Sequence, residues 1–288
     1  MSVTGTMINT TRSGFRLGWN KDYPDVRDYD LDTLAVKNFV VEGVKNSLPP
    51  SAKISVDLPI PRIQGVLGSC TAHSGTYVFE IHQRVANLGD EPLSRLFLYK
   101  VSRKLSGVEG DHGSYLRTTM QAIAMFGIPP ESYYPYEVSR YDQEPEAFHY
   151  AMAQNYQALT YYRLDSHGSN PDQVLDRIKS NIFVNRACMF GFIVYCIDDR
   201  KGHVLLPGKN HKLVGGHAAV AVAYDDGYEI VHPDGTITHG AFKFANWWGQ
   251  EWGDGGFGFI PYEFVRKGIA VDWWTMMSTE WLDLKVVQ

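Results

Sequence analysis

The sequence has few cysteines, and none of them belongs to a recognisable metal or redox motif. Its three cysteines among 288 residues are Cys70, Cys188 and Cys196, too few and too odd in number to form a closed set of disulfides. No CxxC pair and no His-Cys spacing of the zinc-binding kind occurs. We therefore expect no metal and no cofactor, and a location in the cytoplasm or another reducing compartment.

The sequence also lacks long apolar runs and an excess of positive charge. No stretch approaches the roughly 18 apolar residues of a membrane span, and the N-terminus has no apolar segment of the signal-peptide kind. The net charge is −5, and the basic residues are scattered along the chain. These features predict no nucleic-acid partner and no membrane partner, and they carry no indication of an oligomeric state.

The hydrophobic pattern changes along the chain and predicts an arm followed by two different lobes. Residues 1–55 are rich in turn formers, which predicts an extended arm or a short pro-segment. Residues 56–288 form the main domain, with helical periodicity over about 64–160 and short β-branched and aromatic runs over about 161–288. The sequence HPDGT within the second part indicates a β-hairpin. The pattern predicts an α+β fold.

The stretch IQGVLGSCTAHS places Cys70 immediately before the first predicted helix. Two interpretations are open: Cys70 is a small buried apolar residue, or it is a nucleophile. Cys188 and Cys196 lie in RACMFGFIVYCIDD, an apolar run typical of a buried strand, and we expect both to be core residues. A catalytic thiol needs a base and an orienting group from elsewhere in the chain.

Two later segments offer those partners. His217 follows two glycines and precedes an alternating run that predicts a buried strand. A histidine in such a place is more often structural, but the glycine pair favours a ring at the strand end. Asn246 ends another predicted strand although asparagine is a poor strand former, and Trp247 and Trp248 follow it.

Together these residues fit thiol-based acyl transfer. A helix N-terminus and a neighbouring imidazolium lower the pKa of a thiol, so Cys70 is predicted to be a thiolate at neutral pH. His217 would carry the proton to the leaving amine, and Asn246 would fix the histidine tautomer. The backbone N–H of Cys70 and the side-chain amide of Gln64 are the candidate oxyanion donors. Trp248 would shield the pair from water.

At these motifs the sequence resembles the papain-like cysteine peptidases. The resemblance rests on three segments in the order Cys, His, Asn: QGVLGSC at 64–70, GGHAAVAVAYDD at 215–226, and NWWG at 246–249 followed by WG and GF. GSCTA and LSRLFLYKVSRKL, among other segments, resemble a prokaryotic and viral branch. The resemblance implies a two-lobed fold, a helical lobe and a β-barrel-like lobe with a cleft between them, and hydrolysis of protein or peptide substrates. By the same resemblance, Gly113, Gly191 and Ala218 are weak candidates for substrate binding.

Two departures leave an alternative open. Trp247 stands where the family motif normally has serine, and an indole there is predicted to crowd the cleft or turn the asparagine. The arm of residues 1–55 is a candidate for blocking the cleft until it is moved or cut. The alternative to an active peptidase is a papain-fold protein with little or no turnover that acts as a binding or structural component.

Overall fold

The computed structural model describes residues 14–25, 28, 48–195, 202–208 and 211–280, without the side chains of 158, 159 and 278–280. Cys196, which was predicted to be a core residue, lies outside these ranges, and so do residues 1–13, 26–27 and 29–47 of the predicted arm. No helix within the described ranges is long and apolar enough to cross a membrane. The same ranges contain no group of His, Cys, Asp and Glu side chains arranged to hold a metal ion.

The helices lie mainly in the first half of the chain. They are α1 (Cys70–Val85), α2 (Arg95–Leu105), α3 (Leu116–Phe126), α4 (Ala147–Ala153), α5 (Pro171–Phe183) and α6 (Glu263–Arg266). The three long helices predicted from periodicity are therefore present. The helix Pro171–Phe183 within the β-rich half was not predicted from the strand-like texture around it.

The strands form one large sheet and one short pair. They are β1 (Trp19–Asn20), β2 (Ser51–Lys53), β3 (Ser114–Tyr115), β4 (Gln157–Arg163), β5 (Cys188–Tyr195), β6 (Leu213–Val231), β7 (Ile237–Ala245), β8 (Phe257–Pro261) and β9 (Ala270–Glu280). The large sheet has seven strands in the order β4-β9-β5-β6-β7-β8, and β2 pairs with β6. All its pairs are antiparallel.

The sheet is open in the described part of the chain, because no pairing joins β4 to β8. The β-rich lobe therefore has the strands of the expected architecture without a closed barrel. The predicted hairpin is present: Val231 pairs with Ile237 across the turn, where Gly235 has a φ of 82°. A left-handed φ of this kind is what glycine accommodates without strain.

Helix α1 lies in the core between the helical lobe and the sheet. Thirteen of its 16 residues are buried, so it has no solvated face of the usual amphipathic kind. The buried Glu80 of α1 forms a two-pronged ion pair with Arg62, with both N–O distances at 2.9 Å. Cys188 is also fully buried, as predicted. The position of α1 brings its first residue, Cys70, against the sheet.

Candidate active site

Cys70 is the first residue of α1 and is completely buried. The first turn of a helix has backbone N–H groups without partners inside the helix, and these favour negative charge nearby. No acidic side chain in that turn opposes the effect. Burial raises the pKa of the thiol, and the backbone N–H groups of Ala218, Gly18 and Thr71 act in the opposite direction. The sulfur therefore lies among donors from α1, β6 and the N-terminal arm.

His217 and Asn246 meet because their strands are neighbours. His217 lies on β6, and Asn246 directly follows Ala245, the last residue of β7. Ala245 pairs with Val220 of β6. The Nε2 atom of His217 is 2.7 Å from Oδ1 of Asn246, so Nε2–H donates to the amide oxygen. The Nδ1 atom of His217 has no hydrogen-bond partner among the described residues. This leaves Nδ1 as the nitrogen available for proton exchange.

Trp248 packs against the ring of His217. Its ring centroid lies 4.8 Å from that of His217, with the two planes 31° apart. Phe15 of the arm stacks on the indole at 6.2 Å, and Trp252 meets it edge-on at 5.4 Å. Aromatic rings of this size exclude water from the imidazole on that side.

The side-chain amide of Gln64 is already engaged in this conformation. Its Nε2 donates to the carbonyl oxygen of Arg16 at 2.7 Å and to that of Leu67 at 2.8 Å. Arg16 belongs to the N-terminal arm, whereas Leu67 belongs to the turn before α1. The proposed oxyanion donor therefore holds a carbonyl group of the arm.

The arm packs closely against the turn before Cys70 and against the segment that leads into β3. The carbonyl of Gly18 accepts a hydrogen bond from Ser114 N–H at 2.9 Å, and β1 continues in parallel pairing with β3. The approach is so close that a Cβ on Gly18 would lie 1.9 Å from the carbonyl oxygen of Gly68. A Cβ on Gly113 would likewise lie 2.1 Å from the oxygen of Gly18. Only glycine fits at these two positions.

Trp19 of the arm fills a pocket with a floor of glycines. A Cβ on Gly191 would lie 2.0 Å from Cε2 of the indole, and one on Gly216 would lie 2.6 Å from Cε3. The indole N–H donates to Oδ2 of Asp272 at 3.2 Å. Of the weak substrate-binding candidates, Gly113 and Gly191 therefore face the arm. Ala218 is buried next to His217.

A cluster of charged groups holds the arm beyond Trp19. Arg163 contacts Asp272 at 2.6 Å and Asp165 at 3.0 Å, with Asp22 of the arm at 3.8 Å. Asp28 of the arm forms a two-pronged ion pair with Arg117. A groove of about 1500 Å³ borders this part of the arm. Sequence reasoning missed these acidic residues, because GWNKDYPDVRDYD gives no sign that its carboxylates are buried.

The protonation states differ from those that the sequence predicts. Burial raises the pKa of Cys70 to about 11, against the effect of the nearby backbone N–H groups. Burial also lowers the pKa of His217 to about 4, although the hydrogen bond with Asn246 acts in the other direction. Thiol and neutral imidazole are therefore favoured at pH 7. The predicted thiolate is not favoured while the arm covers the site, because desolvation disfavours both charged groups.

Trp247 does not crowd the cleft, contrary to the sequence-based expectation. Its side chain is 1% exposed and lies inside the protein between α1 and β6. It leaves Asn246 directed at His217, and its own backbone N–H donates to Oδ1 of Asn246 at 2.8 Å. The sequence could not show on which side of the strand end this indole packs.

Comparison with known proteins identifies a family for this chain. The model of the papain family of cysteine proteases matches residues 55–271. An uncharacterized peptidase C1-like protein of Acanthamoeba polyphaga mimivirus is 28% identical over 297 residues, which cover 94% of this chain and 89% of that protein.

Solved structures give the same result. Xylellain, a cysteine protease from Xylella fastidiosa, superposes with a TM-score of 0.76 at 26% identity, covering 97% of this chain and 100% of xylellain. The digestive procathepsin L 3 of Tenebrio molitor larval midgut has the same fold, with a TM-score of 0.61 at 20% identity over 82% of this chain and 72% of that one.

The α+β architecture and the cysteine at the start of a buried helix define a two-lobed thiol hydrolase fold. The chain belongs to the papain family of cysteine proteases, and it is a cysteine-type peptidase that acts on peptide substrates.

Proposed function

We propose that the chain hydrolyses peptide bonds with Cys70 as nucleophile, His217 as acid and base, and Asn246 as the group that orients the histidine. The observation that carries this proposal is the 2.7 Å hydrogen bond between His217 Nε2 and Asn246 Oδ1. It leaves Nδ1 without a partner among the described residues. Two further observations support the assignment. Cys70 is the first residue of α1, and the backbone N–H of Ala218, the residue after His217, opposes the burial that raises the pKa of the thiol.

The proposed reaction has two steps. The thiolate of Cys70 attacks the peptide carbonyl carbon, and the oxyanion accepts hydrogen bonds from Cys70 N–H and Gln64 Nε2. The imidazolium of His217 gives its proton to the amine nitrogen as the C–N bond breaks, which leaves a thioester. Water then loses a proton to His217 and attacks the thioester, so that the acid leaves and thiolate and imidazolium are restored.

We further propose that the described conformation is a closed form of the enzyme. Cys70 has no exposed surface, and the Gln64 amide that would bind the oxyanion donates to the Arg16 carbonyl. Trp19 fills the glycine-floored pocket beside the site. A peptide cannot reach the sulfur until residues 15–19 leave.

The same occupied cleft favours the second candidate function, a binding or structural component with little or no turnover. The two candidates differ in whether an activated thiolate forms once the arm leaves. An arm that opens makes the protein a latent peptidase. An arm that never opens leaves the site permanently covered.

Labelling with a peptidyl epoxide, which alkylates thiolates, tests the proposal. We expect Cys70 to be the labelled cysteine once the arm leaves, because the arm covers Cys70 whereas Cys188 lies within β5 in the core. Cys70→Ala should abolish labelling, and His217→Ala should slow it by roughly 10²–10⁴-fold near neutral pH. Fast labelling of Cys70 that is unchanged in His217→Ala would refute an activated pair, whereas equally slow labelling of both proteins would mean that the site is covered or not activated.

A second pair of variants separates latency from inactivity. Trp19→Ala removes the side chain that fills the pocket, whereas Tyr23→Ala removes an arm aromatic that is 76% exposed. We expect faster labelling of Cys70 in Trp19→Ala and the wild-type rate in Tyr23→Ala. Failure of Trp19→Ala to react, in a folded protein, would favour the binding or structural role.

A further inference from the structure

Trp247 has hydrogen bonds that lead to each part of the proposed site. Its backbone N–H donates to Asn246 Oδ1 at 2.8 Å. Its carbonyl oxygen accepts from the backbone N–H of Gln64 at 2.9 Å. Its indole N–H lies 2.9 Å from the carbonyl oxygen of Ala218 and 3.3 Å from Oγ of Ser74.

The indole bridges the two elements that carry the thiol and the imidazole. Ser74 lies one turn after Cys70 on α1, and its hydroxyl donates to the Cys70 carbonyl at 3.0 Å. Ala218 is the residue after His217 on β6. One N–H group therefore connects the first turn of the nucleophile helix with the strand of the proposed base.

Packing holds the ring firmly at this place. Its centroid lies 5.2 Å from the ring of Tyr77 and 5.8 Å from that of His73, both on α1. Buried aromatic rings with a satisfied polar atom have little freedom to move. Because His217 Nδ1 has no hydrogen bond of its own among the described residues, the spacing between sulfur and imidazole depends on how α1 packs against β6.

We propose that Trp247 is a positioning residue that fixes the spacing between α1 and β6, and thereby between Cys70 and His217. The inference rests on the proposed triad. An error in this spacing of about 1 Å lowers the rate by roughly a hundredfold in an oriented reaction. The competing interpretation is that Trp247 is an ordinary core residue whose loss affects stability alone.

Trp247→Phe and Trp273→Phe form a matched pair for the test. Each keeps an aromatic ring and loses one indole N–H. Trp273 is fully buried, and its Nε1 donates to a backbone carbonyl, that of Ala270, at 3.3 Å. It makes no contact with the proposed site residues that the structure describes.

The measurements are the alkylation rate of Cys70 by iodoacetamide from pH 5 to pH 9, kcat and KM on a peptide substrate, and the melting temperature. We expect Trp247→Phe to lower kcat by about ten- to a hundredfold with little change in KM. Below pH 8, the alkylation rate of Cys70 in Trp247→Phe should lose the contribution that depends on His217. Trp273→Phe should lose comparable thermal stability and keep the wild-type kcat and pH profile.

The inference is overturned if Trp247→Phe keeps the wild-type kcat and pH profile, or if both variants change them equally. Should Trp247→Phe fail to fold, Ser74→Ala removes the other end of the bridge and should change the same pH profile. A wild-type profile in Ser74→Ala would then count against the inference. Failure of the triad itself is distinguishable, because turnover would then be unchanged in Cys70→Ala and the labelling rate of Cys70 would be unchanged in His217→Ala.

Discussion

At the scale of single residues, the proposed reaction requires Cys70 and His217 to become charged, and their environment opposes charge on both. Burial raises the pKa of Cys70 and lowers that of His217, so the closed form favours the neutral pair. Water entering as the arm leaves would reduce the desolvation that causes both shifts. The helix N-terminus and the Ala218 N–H would remain in place and stabilise the thiolate. The arm therefore affects the chemistry of the thiol as well as access to it.

Replacing Gln64 tests the proposed oxyanion hole. Gln64→Ala removes one of the two proposed donors, and we expect kcat/KM on a peptide substrate to fall by roughly 10²–10³-fold. Gln250→Ala, at an exposed position after the asparagine motif, should keep the wild-type value. A loss of less than about threefold in Gln64→Ala would mean that the amide does not stabilise the transition state.

At the scale of secondary-structure elements, glycine residues on β5 and β6 leave room for the arm because they have no side chain. Gly191 of β5 pairs with Ala218 of β6, and Gly191 and Gly216 together leave the flat surface that the Trp19 indole covers. Strands seldom contain glycine in their interior without a close contact that requires it. Here the contact is the arm.

Gly191→Ala should therefore open the cleft. Its Cβ would lie 2.0 Å from Cε2 and 2.3 Å from Nε1 of Trp19, so the indole has to move. We expect faster alkylation of Cys70 by iodoacetamide, a reagent too small to need the pocket. Gly227→Ala on β6, where the added Cβ meets only Asp225 Oδ1 at 3.5 Å, is the control. Identical rates in the two variants would contradict this account of the arm.

Helix α5, which packs beneath the sheet, depends on its N-cap. Oδ1 of Asn170 accepts a hydrogen bond from the backbone N–H of Asp172 at 2.9 Å. Asn170→Ala should lower the free energy of unfolding by about 1 kcal/mol in urea titrations. Asn170→Asp keeps an acceptor at the same place and should retain most of that stability. An equal loss in both variants would show that the cap does not act through this oxygen.

At the scale of the whole molecule, docking of the arm depends on carboxyl groups that share a buried site. Asp22 is 4% exposed, and its backbone N–H donates to Oδ2 of Asp272 at 2.7 Å. Burial, with the charge of Asp272, raises the pKa of Asp22 to about 7. Burial also raises the pKa of Asp272 itself. The charged groups around Asp22 and Asp272 are Lys21 and Asp28 on the arm, Arg117 on α3, Arg163 on β4 and Asp165 after β4.

The direction of the pH effect follows from these shifts. The pKa of Asp22 rises from an ordinary 3.8 to about 7 on docking, so the docked arm binds protons more tightly than the free arm. The contribution of Asp22 to docking is therefore fully present below pH 3.8 and is lost as the pH rises through about 7. We expect the arm to be released more readily above neutral pH than below it.

Asp22→Asn tests this dependence, because the amide stays neutral at every pH. The ratio of the Cys70 alkylation rates, wild type over Asp22→Asn, cancels most of the ionisation of the thiol itself. We expect this ratio to increase between pH 6 and pH 8 as the wild-type arm is released. A ratio that stays constant from pH 5 to pH 8.5 would contradict control of the arm by Asp22.

The sequence by itself determined the three motifs that resemble the papain-like peptidases, the three long helices, and the short strands of the second half of the chain. Local patterns were sufficient there, because periodicity, glycine turns and the HPDGT hairpin act over neighbouring residues. The sequence also selected Cys70, His217 and Asn246 as candidates from their positions at the ends of predicted elements. His217 and Asn246 meet because β6 and β7 are neighbours in the sheet, which the sequence did not predict.

Only the tertiary structure decided what covers the site. The carboxylates of the arm, the glycine floor under Trp19 and the burial of Trp247 depend on contacts between residues far apart in the chain, such as Asp22 with Asp272, Trp19 with Gly191 and Trp247 with Ser74. The pKa shifts of Cys70, His217 and Asp22 also depend on the tertiary structure, because their largest cause is burial by the residues packed around them. The sequence predicted that the arm could block the cleft, but no local pattern shows which residues of the arm pack against the site, so these contacts became evident only in the folded chain.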